Sequence, residues 1–397
     1  MKIHKGQPWI LPRISNDEIQ QRHRRLRKEM DERDICCLVV AGSQVNYGAG
    51  SDNIRYLSNY GIYYGEGYIV FPISGEARMF CRSMNQEFNA QVASDIPTKI
   101  SGYPVFAEDV ENYLRDLKLE KGNIGIVGAE IMPTAFFLDL QRRLSDANLY
   151  FVSDILLEMR LIKSPEELAF VEKAGEIADY AYNAILCNAK PGIKEFEVFA
   201  EVDKALYSHG AASTFILLTS GPTPSFPPCP GSHRTLELHD TIMNEISPCY
   251  GGLWIQWGRQ VSIGDPDMRL FKLYKVAMEV YECILSYIRP GVTYEEVTKA
   301  AHEIIRSKGY SWLAPATQHI GLDITEMAYV IKGTPKNVER ISRPMDKRPL
   351  KPGMVIVNQP NVVTKDLQMG AMIIDTLIVT QDGCKVVSKS PLDFVKV

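Results

Sequence analysis

The chain contains no C-x-x-C pair. Its eight cysteines, Cys36, Cys37, Cys81, Cys187, Cys229, Cys249, Cys283 and Cys384, include several in apolar runs such as "DICCLVVAG" and "YECILSYI". That usage fits thiols packed as small core residues in a reducing compartment, not a disulfide framework. No run of about 18 apolar residues occurs, which excludes a membrane-spanning helix. The opening "MKIHKGQPWILPRIS" lacks an apolar stretch of signal-peptide length. Basic residues are not in excess: Lys plus Arg is 44 against 48 for Asp plus Glu, a net charge of -4. A mildly acidic chain offers no general attraction to nucleic acid. The basic stretch "QQRHRRLRKEMDERD" alternates with acids at helical spacing and reads as a solvated helix face. No glycine-rich phosphate loop follows a strand, so no nucleotide is implied. These exclusions predict a soluble, cytoplasmic protein with no membrane or nucleic-acid partner and a small-molecule substrate.

What remains is an ordinary globular composition, 45% apolar and 23% charged, over 397 residues. That length suits two domains. Residues 1–157 alternate helix and strand. "NDEIQQRHRRLRKEMDERD" reads as a helix capped by Asn16, "ICCLVVAG" as a buried strand, and "GYIVFPISGEARMFCR" as two strands turning at Ser74 and Gly75. The alternation predicts a three-layer α/β domain. Residues 158–397 change register. A long helix opens at Ser164, with Pro165 in the first turn and Glu167 completing a capping box. Further helices lie in "DMRLFKLYKVAMEVYECILSYI" and "TYEEVTKAAHEIIRSKG". The strands expected are "STFILLTS", "TIMNEISPCY", "LWIQWGRQVSIG", "GMVIVNQPNVV" and "AMIIDTLIVT", giving an α+β domain.

Six segments in order carry a resemblance: "MRLIKSPEELAFVEKA", "KPGIKEFEV", "SGPTPSFPPCPGSHRTLELHDTI", "RPGVTYEEV", "LKPGMVIVNQP" and "DTLIVTQDG". They resemble the family of methionine aminopeptidase, prolidase, aminopeptidase P and creatinase. The resemblance implies a pita-bread catalytic domain behind a creatinase-like N-terminal domain. Metal-dependent members of that family hold two divalent ions with two Asp, one His and two Glu. Matched by their neighbours, those positions are Glu245, Gln256, Gln318, Gln359 and Ile374 here. One carboxylate stands where four would balance four positive charges, and a neutral carboxamide or an isoleucine cannot replace the others. His319, one place beyond Gln318, does not restore the site alone. The comparison therefore implies no metal and no cofactor. Creatinase works without metal through a histidine, but its position is Pro228 here.

The expected reading is a divergent, creatinase-like hydrolase or lyase, independent of metal, acting on a C–N or neighbouring bond of a small polar metabolite. Glu245 and His319 are the expected acid and base. A carboxyl in a partly apolar pocket titrates high, and a histidine titrates near neutrality. Gln256, Gln318 and Gln359 would orient substrate. Of Trp254 and Trp257, three apart on a strand, one would line the pocket. Arg259 keeps the family's place and would pair with Asp323 or Glu326. Cys229 and Cys249 are the candidate nucleophiles, weighed against a simple packing role. Two alternatives stay open: a non-catalytic binding protein using the old peptidase pocket, and an Xaa-Pro-type metallopeptidase with a reshuffled metal site. Family relatives pair, so a homodimer is expected, with the Tyr- and Asn-rich "GSDNIRYLSNYGIYYGEGY" at its rim.

Overall fold

The computed structural model describes residues 12–43, 52–102, 104–225, 228–326, 329–342 and 347–397. Gly50 and Ser51, the first two residues of the Tyr-rich segment, lie outside these ranges. The chain forms two units. The first comprises Met1–Arg160 and Thr325–Pro344; the second comprises Leu161–Ile324 and Met345–Val397. The division expected after residue 157 thus leaves out a returning segment. That segment forms an antiparallel hairpin, Tyr329–Thr334 with Asn337–Ser342, on the edge of the N-terminal sheet. Two contacts inside the first unit hold it. The Ile331 amide donates to Glu130 at 2.8 Å, and Lys332 pairs with Asp154 at 2.8 Å.

The N-terminal sheet has eight strands, with Cys37–Ser43 near its centre, parallel to Asn123–Val127 and antiparallel to Glu66–Pro72. Alternation sorts its side chains into two layers. Val39, Val70, Ile124 and Ile126 share a core with Phe106, Val110, Leu114, Phe136 and Leu140 from two helices. Leu38 and its cross-strand partner Phe71 point the other way. There the His23 ring of the first helix, Asn16–Glu32, meets Phe71 edge-on at 5.0 Å. This is the three-layer α/β arrangement. One detail differs: Ser15, not Asn16, caps that helix, its hydroxyl accepting the Glu18 amide.

In the C-terminal unit, helices accompany mostly antiparallel strands, the pita-bread architecture. Pro165–Asn188 begins with the expected capping box at Ser164 and Glu167. The strands Ser213–Gly221 and Thr241–Tyr250 pair from Ser213 opposite Cys249 to Gly221 opposite Thr241. A second sheet orders Thr317–His319, Val355–Asn358, Asp375–Val379 and Cys384–Val386. Three segments expected as single strands are broken. Leu253–Trp254 is separate from Val261–Ser262, Val355–Asn358 from Asn361–Val363, and Gly370–Met372 from Asp375–Val379. At the second break stands Pro360, which has no N–H for a ladder. Among the described residues no helix is long and apolar enough to cross a membrane.

Candidate active site

The five family positions share one face of the C-terminal strands. On Thr241–Tyr250, Glu245 alternates with Ile246, whose cross-strand partner is Trp257. Gln256 therefore points to the same side as Glu245. Gly258 is bridged to Ile374, and Val357 pairs with both Thr376 and Gln318. Gln359, two residues beyond Val357, returns to that face.

A hydrogen-bonded line runs across it. Gln256 Nε2 donates to Glu245 Oε1 at 2.6 Å, and Gln318 Nε2 donates to Gln256 Oε1 at 2.6 Å. The strands bearing Thr376 and Val357 stand between Gln256 and Gln318. Three strand spacings in a flat sheet would hold the two glutamines on the order of 14 Å apart. Their contact requires the sheet to curl, so this face is concave. Thr376 Oγ1 fastens the line from below, accepting from the Gln256 amide at 2.8 Å and donating to its carbonyl at 3.0 Å.

Glu245 titrates far above an ordinary carboxyl, at about 7, because burial penalises its charged form; the bond from Gln256 opposes this only in part. Ile374, fully buried, adds an apolar side chain to this face through its bridge to Gly258. A side chain at Gly258 would meet its Cδ1 at 3.1 Å and the Asn244 carbonyl at 2.4 Å, so the strands approach closely enough here to need glycine.

The remaining expected residues fall on either side of this face. His319 follows Gln318 on a strand and so points to the opposite, helix-covered side. Its Nδ1 meets the Tyr294 hydroxyl at 2.8 Å and the ring is buried. The structure does not bring it to Glu245. Trp257 also faces the helices, edge-on to Tyr182 at 5.9 Å and fully buried, leaving Trp254 on the Gln256 side. Arg259 pairs with Asp375, at 2.9 Å, not with Asp323 or Glu326. Its other donors go to the carbonyls of Gly258, Ile374, Ser390 and Pro391, so no donor is left for a substrate. Asp375 is further tied to Tyr281 and Ser388. It lies on the helix side with Asn358, away from the glutamines. Cys249 is buried on the Glu245 face of its strand, whereas Cys229 is exposed in the preceding loop. Two residues of the site were not anticipated, Thr376 as a tether and Ile374 as an apolar side chain on this face. Strand alternation from Gln359 and the "DT" pair was the signal for both.

The pattern of metallopeptidase family M24 matches residues 169–381, more than half of the chain, and a creatinase/prolidase N-terminal domain matches residues 22–162. The chain belongs to metallopeptidase family M24. An Xaa-Pro dipeptidase of Pyrococcus horikoshii is 25% identical over 385 residues, covering 96% of this chain and 100% of the relative. A Bacillus subtilis protein named uncharacterized peptidase YqhT is 26% identical over 365 residues, covering 87% and 96%. Among solved structures, the prolidase from Pyrococcus furiosus superposes with a TM-score of 0.75 at 25% identity, covering 92% of this chain and 99% of that one. These M24 relatives overturn the expectation of a metal-independent, creatinase-like hydrolase or lyase of small polar metabolites. They point to a peptidase. The name of the family implies a metal, and the residues at its positions do not fit one. One carboxylate, three neutral carboxamides and an isoleucine cannot balance two divalent ions. Among the described residues no group of three or more His, Cys, Asp or Glu is placed to hold an ion.

Proposed function

We propose that the concave face of the C-terminal unit receives a small peptide of the Xaa-Pro class, and that Glu245 handles protons there. The observation that carries this reading is the full-length likeness to an Xaa-Pro dipeptidase, with coverage of 96% and 100%. Supporting it is a carboxyl that titrates near neutrality at a family position. Such a group both takes and gives a proton at working pH, an effect worth typically ~10²–10⁴-fold in rate. Gln256 and Gln318 hold Glu245 in place and, with Gln359, orient the peptide; Trp254 walls the face. In this reading the protein acts in the cytoplasm as a homodimer.

The test is proline release from Ala-Pro, Gly-Pro and Leu-Pro by the full chain, with and without added Mn²⁺. Release in either condition is the expected result. No release under both conditions sinks hydrolysis. A second reading then takes over, favoured by the carboxamides at Gln256, Gln318 and Gln359: recognition of the peptide without cleavage, detected calorimetrically as binding.

A further inference from the structure

The first helix of the N-terminal unit, Asn16–Glu32, turns one stripe of its surface into a cavity of about 160 Å³. Gln20, His23 and Arg27 stand three and four residues apart and so share that side of the helix. Gly75 and Glu76 of a hairpin turn, and Asp95 just beyond the helix Met84–Ala93, also line the cavity. Two polar atoms of the stripe lack partners among the described residues. Arg27 Nε is buried and meets no acceptor, although Nη2 of the same guanidinium donates to the Gly75 carbonyl at 2.9 Å. His23 is only 6% exposed, and its Nε2 lies 2.8 Å from the Leu57 carbonyl. A carbonyl cannot donate, so Nε2 carries the proton, and Nδ1 of the neutral ring is left as an acceptor. No donor reaches Nδ1.

The two groups converge on Phe71. The His23 ring meets Phe71 edge-on at 5.0 Å, and Arg27 Cζ lies over the same ring at 5.1 Å. Burial first, then the charges of Arg27 and Arg22, hold His23 below its ordinary value, against the bond to Leu57. A buried guanidinium N–H without an acceptor is costly, and an anionic oxygen satisfies it more strongly than a neutral one. The same anion favours a proton on His23 Nδ1 beside it. The remaining charges nearby do not compete for that place. Glu18 is held by Arg22 at 2.9 Å. Glu76 and Asp95 are exposed, where solvent and salt screen them.

We infer that this cavity binds a small oxyanion, a carboxylate or a tetrahedral group of the phosphate kind, together with one proton from solvent. One anion oxygen accepts from Arg27 Nε. Another accepts from the Nδ1–H that forms on His23. The site lies in the N-terminal unit, and nothing in it depends on the face that carries Glu245 or on the Xaa-Pro reading.

The experiment is isothermal titration of the full chain with sodium acetate and with sodium sulfate at constant ionic strength. Neither anion takes up a proton near neutral pH, so any proton absorbed is the protein's. Titrations in two buffers of different ionisation enthalpy count it. The expected result is saturable binding of at least one anion with proton uptake, and an affinity that rises as pH falls, by at most about tenfold per unit. Saturation by acetate alone marks a carboxylate ligand, and by sulfate alone a tetrahedral one. Arg27→Met keeps most of the apolar stem and removes the donor. It should weaken binding by at least about tenfold, the scale of one charged hydrogen bond. No saturation at millimolar concentration, binding without proton uptake, or unchanged binding in Arg27→Met each overturns the site. Should that variant not fold, the His23 ring resonances of the wild type decide. Added anion is expected to move their titration to higher pH, and an unmoved titration overturns the inference.

Discussion

Glu245 and His319 show how single positions translate into chemistry. The five positions matched to the family by their neighbours in sequence lie on one face of the C-terminal strands. What misled was the residue beside one of them. His319 stands where a shifted ligand would stand, but one step along a strand reverses the direction of a side chain. The same rule placed Asp375 with Arg259 and Tyr281 on the helix side. The burial of Glu245 has a consequence for stability. Below its ordinary value of 4.5 the carboxyl is protonated in both folded and unfolded chains and contributes no pH dependence. Between 4.5 and about 7 the unfolded chain releases the proton while the folded chain keeps it, so stability falls as pH rises. Above about 7 the penalty is complete, on the order of 3 kcal/mol. Glu245→Gln has no proton to lose. Its melting temperature relative to the wild type should therefore climb between pH 5 and pH 8, measured by differential scanning calorimetry. Parallel pH profiles for the two proteins would contradict the burial of an uncharged carboxyl.

Elements were legible where their signals were local. The capping box at Ser164 and Glu167 is a pairing of two side chains with two backbone amides three residues apart, and it formed as spaced. The hairpin turn at Ser74 and Gly75 followed from the alternation of its strands, with Gly75 at a positive φ of 98°. Strand ends were less legible, because apolar runs pass through them. "GMVIVNQPNVV" continues without change of composition across Pro360, yet its two halves pair with different sheets. The Gln359–Pro360 step is the break, since the residue before a proline and the proline itself both resist a continuous ladder. The need for Gly258 was not legible at all. It comes from the Asn244 carbonyl and Ile374, more than a hundred residues apart in sequence from each other. Such tertiary crowding leaves no periodic trace.

At the scale of the whole molecule the chain passes out of the N-terminal unit after Arg160 and returns to it at Thr325. No composition shift marks the return, and the hairpin Tyr329–Thr334 with Asn337–Ser342 carries too little apolar sequence to announce which sheet it joins. Within that first unit, Arg160 and Glu326 meet at 2.8 Å, each with only 1% of its side chain exposed. Arg160 also donates to Asn53 at 2.9 Å. The pair closes the two ends of the excursion inside one unit. Replacing both residues by apolar ones of similar size can be nearly neutral, but removing one member of a buried ion pair costs roughly 3–5 kcal/mol. Glu326→Ala should therefore lower the denaturant midpoint of the N-terminal unit well beyond the loss seen for Arg160→Met combined with Glu326→Leu. Near-UV circular dichroism and urea titration follow the transition. If the single change costs no more than the double one, Arg160 finds other compensation, and the ion pair is not what fastens the returning hairpin.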